Sequence, residues 1–159
     1  MRLVLDLRKV SSHSERRRLA NEADQHGIWG TVVTGPPGAE CVEAAAIAAV
    51  TTNLSIIVDV DGDAAHPTTL AEEVAVLDQI SRRRAALIFR GETTTKLSVV
   101  ALLSGLPSNG VILSPPPAQT SVPVFAPEDM PEVGLGGDLQ NSAAIIDQYR
   151  DASTPFLVV

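Results

Sequence analysis

Aromatic residues, cysteine and long apolar runs are all scarce in this chain of 159 residues. Phe, Trp and Tyr make up only 3% of the sequence, so a core must be built from Val, Ile, Leu and Ala, which suits α/β layers better than a β-sandwich. Cys41 is the only cysteine, which excludes an internal disulfide and favours a reducing compartment. No apolar run reaches the ~18 residues of a membrane helix, and the short apolar start does not resemble a signal peptide. We therefore expect a cytoplasmic protein that does not enter a membrane.

Positive charge is also in deficit. The sequence has 12 Lys and Arg against 19 Asp and Glu, a formal net charge of −7. Contacts with nucleic-acid phosphates need clustered basic side chains, so the composition argues against nucleic acid as a partner. The two short arginine runs, 16–18 and 82–84, are interpreted as solvated helix faces or ends. The length fits one domain spanning residues 1–159.

What the sequence does contain is a regular alternation of apolar strands and amphipathic helices. The clearest unit runs from residue 54 to residue 91: an apolar strand at 54–60, a helix that Thr69 and Glu72 would open with a capping box, and a second strand at 85–89. Arginines 82–84 fall in the last turn of that predicted helix, where cations favour the dipole. A strand, a helix and a strand in this order predict a parallel sheet of the α/β class.

The other predicted elements follow the same criteria. A first helix is capped by Ser12 and ended by Gly27. Seven of the eleven prolines lie between Pro107 and Pro131, so that region is expected to be mostly turns and extended loop. Further strands are predicted at 3–7, 28–33, 111–113, 122–125 and 155–159, and further helices at 40–52, 96–103 and 141–152.

Several of these segments resemble a known family. Residues 23–29 (ADQHGIW), 45–54 (AAIAAVTTNL) and above all 66–84 (HPTTLAEEVAVLDQISRRR) are similar to segments of the bacterial luciferase-like monooxygenases, and residues 146–159 resemble the last helix and strand of that family. These proteins are flavin- or deazaflavin-dependent (β/α)₈ barrels. The resemblance covers about the first 90 residues well and the end of the chain loosely.

The chain also departs from the family pattern. A complete barrel takes about 250 residues, and six or seven candidate strands are present rather than eight. The loop after the second strand reads TGPPG at 34–38, without the family's histidine or charged pair. A Gly-rich turn after the fourth strand is reduced to Arg90 and Gly91. We therefore predict a shortened or incomplete TIM-like (β/α) barrel with a parallel sheet.

The resemblance implies a flavin- or deazaflavin-dependent oxidoreductase or monooxygenase acting on a small-molecule substrate, with FMN or a deazaflavin as cofactor. The residues alone are equally consistent with no cofactor. The alternative is a non-catalytic dimeric scaffold, or a partner subunit of a full-length homologue. A homodimer is expected in either case, because a missing barrel segment leaves sheet edge to be covered. A third, weaker hypothesis is a doubly wound small-molecule binding domain without a redox role.

Candidate site residues come from the carboxyl ends of the strands, where parallel α/β proteins place their function. This criterion selects residues 6–8, 34–38, 59–63, 90–92 and 114. Asp6, Asp59, Arg90 and Gly91 are the predicted cofactor-binding residues among them. Three glycines ahead of the last helix, which could admit a phosphate close to the backbone, are added to them: Gly134, Gly136 and Gly137.

Two polar features of the sequence have both a functional and a structural interpretation. His66, in a strand-to-helix loop, is the candidate acid–base catalyst, with helix capping as the alternative. Asp59, Asp61 and Asp63 alternate along a strand end and could bind a hard cation, but Asp and Gly here are also ordinary turn formers. No metal site is predicted.

Overall fold

The computed structural model describes residues 1–36, 38–133, 144, 146–148, 150 and 155–159. Its strands are β1 (Arg2–Asp6), β2 (Gly30–Val33), β3 (Ser55–Asp61), β4 (Ala85–Arg90), β5 (Val124–Phe125) and β6 (Phe156–Val158). Its helices are α1 (His13–Gln25), α2 (Glu40–Val50), α3 (Pro67–Ile80) and α4 (Thr93–Leu103). Among the described residues, no helix has the length and apolar character needed to cross a bilayer.

The strands form one sheet in the order β5-β4-β3-β2-β1-β6. Every neighbouring pair is parallel. The sheet is curled into a half-barrel with helices on its outer side, which confirms the predicted shortened TIM-like barrel. The carboxyl ends of all six strands therefore meet at one edge, which we call the mouth.

One short segment joins the two sides of the sheet and requires it to curl. Phe125 in β5 lies beside β4, and Glu132 forms a parallel bridge with Val158, one strand position beyond β6. In a flat sheet those positions would be six spacings of about 4.8 Å apart, or roughly 29 Å. Seven residues reach at most about 25 Å when fully extended, and Pro127–Asp129 is shortened further by a 3₁₀ turn. We call residues 126–133 the strap.

The curled sheet has an apolar core on each side. The outer core lies between the sheet and the helices. The inner core lies on the concave side, and Met130 of the strap, only 2% exposed, is part of it. Trp29 and Phe125 both pack on Phe156, with ring centroids 4.8 and 5.1 Å apart. The other buried members are Val4, Val32, Ile57, Ala86, Ile88 and Val158. The interior is thus filled by side chains, as in a complete barrel.

Helix α3 begins differently from the prediction. His66 is its N-cap, its Nδ1 accepting a hydrogen bond of 3.3 Å from the N–H of Thr68, and Pro67 is the first helical residue. The predicted capping box of Thr69 and Glu72 is therefore wrong. Pro67 explains the earlier start, because its fixed φ suits the first helical position and that position needs no donor.

The end of α3 also differs. The helix stops at Ile80, and Arg82 and Arg83 have φ of +57° and +70°, so the arginine run follows the helix instead of forming its last turn. Arg84 donates to the carbonyl oxygen of Ala48 in the last turn of α2, at 2.9 Å. The predicted pairing of these arginines with their own helix dipole is wrong, and one of them caps a neighbouring helix instead.

The later elements are shorter or differently placed than predicted. Helix α4 starts at Thr93 rather than at residue 96. The predicted strand at 111–113 is not a strand: Ser108 and Val111 bond to each other across a turn in which Asn109 and Gly110 have φ of +48° and +78°. Two positive φ values at Asn-Gly are typical of a type I′ hairpin turn. The strand predicted at 122–125 is only β5, and of the predicted helix at 141–152 residues 144, 146–148 and 150 are helical, the others lying outside the described residues.

Truncating the buried strap residue tests whether the strap is part of the core. Met130→Ala should lower the free energy of unfolding by about 2–5 kcal/mol, because it leaves a cavity in the inner core. Ile112→Ala, at a side chain 63% exposed, is the control and should change it by less than about 0.5 kcal/mol. Urea unfolding monitors both, and equal small effects would contradict the packing described for Met130.

Candidate functional site at the mouth of the half-barrel

Three of the predicted site residues come together at the mouth. Asp6, Asp59 and Arg90 stand at or near the ends of β1, β3 and β4. On each of these strands, the residue two positions earlier belongs to the inner core. Because side chains alternate along a strand, all three point to the concave side, at the edge where the strands end.

Arg8 is the centre of the arrangement. Its Nε and Nη2 donate to the two carboxylate oxygens of Asp6, both at 2.9 Å. Its Nη1 donates to Asp59 Oδ2 at 2.6 Å, and its Nη2 also lies 2.6 Å from Glu132 Oε1 in the strap. The side chain of Arg8 is 12% exposed, so one largely buried guanidinium joins β1, β3 and the strap.

Arg90 extends this group toward solvent. Its Nε and Nη2 donate to the two oxygens of Asp59 at 2.7 and 2.8 Å, and its Nη2 lies 4.0 Å from Glu132. Asp59 is 8% exposed but Arg90 is 47% exposed. The cluster of Asp6, Arg8, Asp59, Arg90 and Glu132 therefore holds three carboxylates and two guanidiniums, with one arginine facing outward.

The electrostatics follow from this pairing. Burial by itself would raise the pKa of Asp6, but the hydrogen bonds and charge of Arg8 outweigh burial, and the pKa of Asp6 lies below its ordinary value. The hydrogen bond to Asp6 raises the pKa of Arg8, against its desolvation, and the hydrogen bond to Asp59 raises that of Arg90. All three groups are held in their charged forms.

An open polar pocket adjoins the cluster. It has a volume of about 420 Å³ and lies between the end of β4, the start of α4 and the strap. Arg90 and Lys96 contribute cationic groups to it, Thr93 contributes the first turn of a helix, and Glu128 contributes a carboxylate. A pocket of this size and position can take a small anionic group.

The backbone conformation at Gly91 and the space around it both favour glycine. Its φ is +133°, and a Cβ at this position would lie 2.9 Å from Asp63 Oδ1. It also borders the open pocket, and its binding of a cofactor stays a prediction. Gly134, Gly136 and Gly137 lie outside the described residues.

His66 is exposed, and its imidazole caps α3. None of the hydrogen bonds or ion pairs among the described residues joins it to the mouth cluster. The capping alternative for this residue is therefore confirmed. Its catalytic role stays a prediction.

The Asp-rich end of β3 is a turn held by its own carboxylates. Asp61 Oδ1 accepts from the N–H of Asp63 at 3.1 Å, and Asp63 Oδ1 accepts from the N–H of Glu92 at 3.2 Å, while Asp59 is engaged by the two arginines. In the part of the chain that the structure describes, no three His, Cys, Asp or Glu residues are grouped so as to hold a metal ion.

Glu132 lies outside the strand ends that the sequence selects, and Arg8 lies within the selected strand end at 6–8 but is not among the predicted site residues. Arg8 lies two residues after Asp6 at a strand end, and this i, i+2 spacing of opposite charges on one face was a usable signal. Glu132 lies in the proline-rich region, and no sequence pattern connects it with the strand ends. Its position depends on the path of the strap.

Two solved structures share this architecture over nearly the whole chain. Monooxygenase RslO1 from Streptomyces bottropensis superimposes with a TM-score of 0.65 and 18% identity, covering 98% of this chain and 67% of that one. The oxygenating constituent of 3,6-diketocamphane monooxygenase from the CAM plasmid of Pseudomonas putida, a type II Baeyer–Villiger monooxygenase in complex with FMN, gives 0.64 and 12%, covering 99% of this chain and 57% of that one. This chain has the fold of the luciferase-like monooxygenases. It spans about two thirds of one luciferase-like neighbour and little more than half of the other. No protein-family model matches the sequence, and no curated protein does.

The lowered pKa of Asp6 predicts acid sensitivity. A carboxylate with a folded-state pKa below its unfolded value of about 3.9 contributes stability above that pH and loses it as the pH falls through the folded value. Asp6→Asn should therefore unfold at lower urea concentration at pH 7, and its stability should fall less steeply than that of the wild type below about pH 4. Parallel stability curves for the two proteins between pH 6 and pH 2.5 would contradict the pairing of Asp6 with Arg8.

Proposed function

We propose that this chain is a luciferase-like oxidoreductase domain that holds a flavin or deazaflavin at the rim of its mouth. The observation that carries the proposal is the open pocket of about 420 Å³ beside Arg90. It adjoins the charged strand ends of a fold in which a structural neighbour is in complex with FMN. Its volume lies within the usual range for small-molecule sites, about 300–1,000 Å³.

The residues of the pocket suit the anionic tail of such a cofactor. Arg90 is fixed by two bonds from its Nε and Nη2 to Asp59, and its Nη1 makes none of the described contacts. Lys96 lines the same pocket. Thr93 begins α4, and the N–H groups of a first helical turn favour an anion. These three residues would hold a phosphate or carboxylate.

The centre of the mouth is already filled, so only the anionic tail is assigned a position. Arg8 and its carboxylates are paired with one another there, and Met130 fills the core beneath. A bound flavin or deazaflavin supplies hydride or electron transfer. The chain's own contribution is to bind the tail at Arg90, Lys96 and Thr93, and the predicted contribution of His66 is to hold or move a proton at its imidazole.

One feature favours a second candidate, a non-catalytic subunit that associates with itself or with a full-length homologue. Arg8 and Asp59 are both largely buried and pair with each other. Arg8 also binds Asp6 and Glu132, and Asp59 also accepts from Arg90. Charges paired in this way maintain a buried structure, whereas a catalytic mouth keeps groups available for its ligand.

Cofactor titration separates the two candidates. FMN or the deazaflavin, added to the purified protein and followed by fluorescence, should bind with a Kd below about 100 μM. Lys96→Ala should weaken that binding about tenfold or more, since removing one cation from an anion site costs at least about 1.4 kcal/mol. Arg17→Ala, which removes an exposed cation on α1, is the matched control and should leave the Kd unchanged.

Two results of the cofactor titration would contradict the proposal. If neither cofactor binds with a Kd below about 100 μM, the oxidoreductase proposal is wrong and the non-catalytic candidate stands. If binding occurs but Lys96→Ala and Arg17→Ala are both without effect, the cofactor is held elsewhere and the assignment of its tail is wrong.

A further inference from the structure

A second polar cavity lies at the opposite end of the sheet from the mouth. It has a volume of about 230 Å³ and lies where α2 and α3 end and where β3 and β4 begin. Arg82 and Arg84 line it, together with the apolar Ile80 and the hydroxyl residues Thr51 and Thr52. Its volume is below the range of about 300–1,000 Å³ that is usual for small-molecule sites. The cavity is therefore suited to one small group rather than to a whole cofactor.

Arg84 is a partly buried cation that is bonded only to neutral oxygens. Its Nε donates to the carbonyl oxygen of Ser81 at 2.6 Å, and its Nη1 donates to Thr51 Oγ1 and the carbonyl oxygen of Leu54 at 2.9 and 2.8 Å. Its Nη2 donates to the carbonyl oxygens of Ala48 and Thr51 at 2.9 and 3.0 Å. These bonds use all five N–H groups of the guanidinium. They also occupy carbonyl oxygens at the end of α2 that would otherwise repel an anion.

Arg82 supplies the donors that Arg84 lacks. It is exposed, and only its backbone N–H takes part in the hydrogen bonds and ion pairs among the described residues. A guanidinium fork matches two oxygens of one oxyanion. Arg82 and Arg83 have φ of +57° and +70°, a region that costs free energy for residues other than glycine and that is enriched at functional sites. The strained backbone directs a free guanidinium to the cavity.

The cavity has an excess of positive charge, although the net charge of the chain is −7. Burial lowers the pKa of Arg84, and the charge of Arg82 lowers it further, against the opposing effect of Asp24. Asp24 does not line the cavity. Its oxygens accept from the N–H groups of Thr52 and Asn53 and from the hydroxyl of Thr52. An anion in the cavity would therefore be attracted by two guanidiniums and would offset the desolvation of Arg84.

We propose that this cavity binds a phosphate group between Arg82 and Arg84. A phosphate carries about −1.5 to −2 charges at pH 7 and can face both guanidiniums, whereas a carboxylate carries only one charge. Arg82 donates to the phosphate through its free N–H groups, and Arg84, whose donors are occupied, acts through its charge. The site is at the other end of the sheet from the mouth, so it does not depend on the cofactor proposal.

Amide NMR shifts during a titration with inorganic phosphate at constant ionic strength test the proposal. The N–H signals of Thr51, Thr52 and Arg82 should shift and saturate with a Kd below about 5 mM. Arg82→Ala should raise that Kd at least about tenfold, since it removes the direct donors. Arg83→Ala is the matched control: it removes the same charge from the next residue, which does not line the cavity, and should change the Kd less than about threefold. Lys96→Ala should leave it unchanged, which separates this site from the mouth pocket.

A glycine variant separates binding from folding. Arg82→Gly should bind phosphate as weakly as Arg82→Ala, while its urea midpoint is at least that of the wild type, because glycine adopts a φ of +57° without strain. A wild-type Kd above about 5 mM overturns the proposal, and so does equal weakening by Arg82→Ala and Arg83→Ala.

Two further ligands define the chemistry of the site. Acetate that binds as tightly as phosphate overturns the assignment of a phosphate group. Glycerol 3-phosphate distinguishes the source of that group, and either of its results supports a phosphate site. A Kd equal to or below that of inorganic phosphate identifies a phosphate ester, and a higher Kd identifies the free ion.

Discussion

The ion pairs of Arg8 connect parts of the chain that are distant in sequence. One guanidinium, 12% exposed, binds Asp6 at the end of its own strand, Asp59 at the end of β3 and Glu132 in the strap. Buried charges are stable only when paired, and removing one partner of such a pair commonly costs about 3–5 kcal/mol. The strap in turn joins the two sides of a sheet that would otherwise remain open. Arg8 therefore links the strap to the ends of β1 and β3 at the centre of the mouth, beside the packing of Met130 and the backbone bonds of the strap to Val158.

The chain shares the fold of its structural neighbours but covers only part of their length. The fold is shared with two monooxygenases over almost all of this chain, although it corresponds to only 67% and 57% of theirs. Here a strap of eight residues covers the inner core, and paired charges occupy the strand ends. The open polar pocket beside Arg90 stays accessible. The proposed cofactor contact is placed there for that reason.

The predictability of the structure depends on whether each feature is encoded locally. The parallel sheet, the first four strands and the grouping of Asp6, Asp59 and Arg90 follow from apolar runs, helix signals and strand ends, and all could be predicted. Competing local signals misplaced some boundaries, as at Pro67, which starts α3 earlier than the expected capping box. Glu132 could not be predicted, because its place at the mouth is set by the closure of the whole sheet. The expected homodimer stays a prediction.

The ion pair of Glu132 with Arg8 holds the strap in place, and native-state amide hydrogen exchange tests this contribution most directly. The N–H groups of Val133 and Val158 bond across the strap and β6, at 2.9 and 3.0 Å. In Glu132→Gln their protection should fall about tenfold or more, a loss of roughly 1.4 kcal/mol in local opening free energy. The N–H of Ile56 in β3, which bonds to the carbonyl oxygen of Arg84 at 2.8 Å, should keep its wild-type protection. Unchanged exchange at Val133 and Val158 in that variant would contradict the claim.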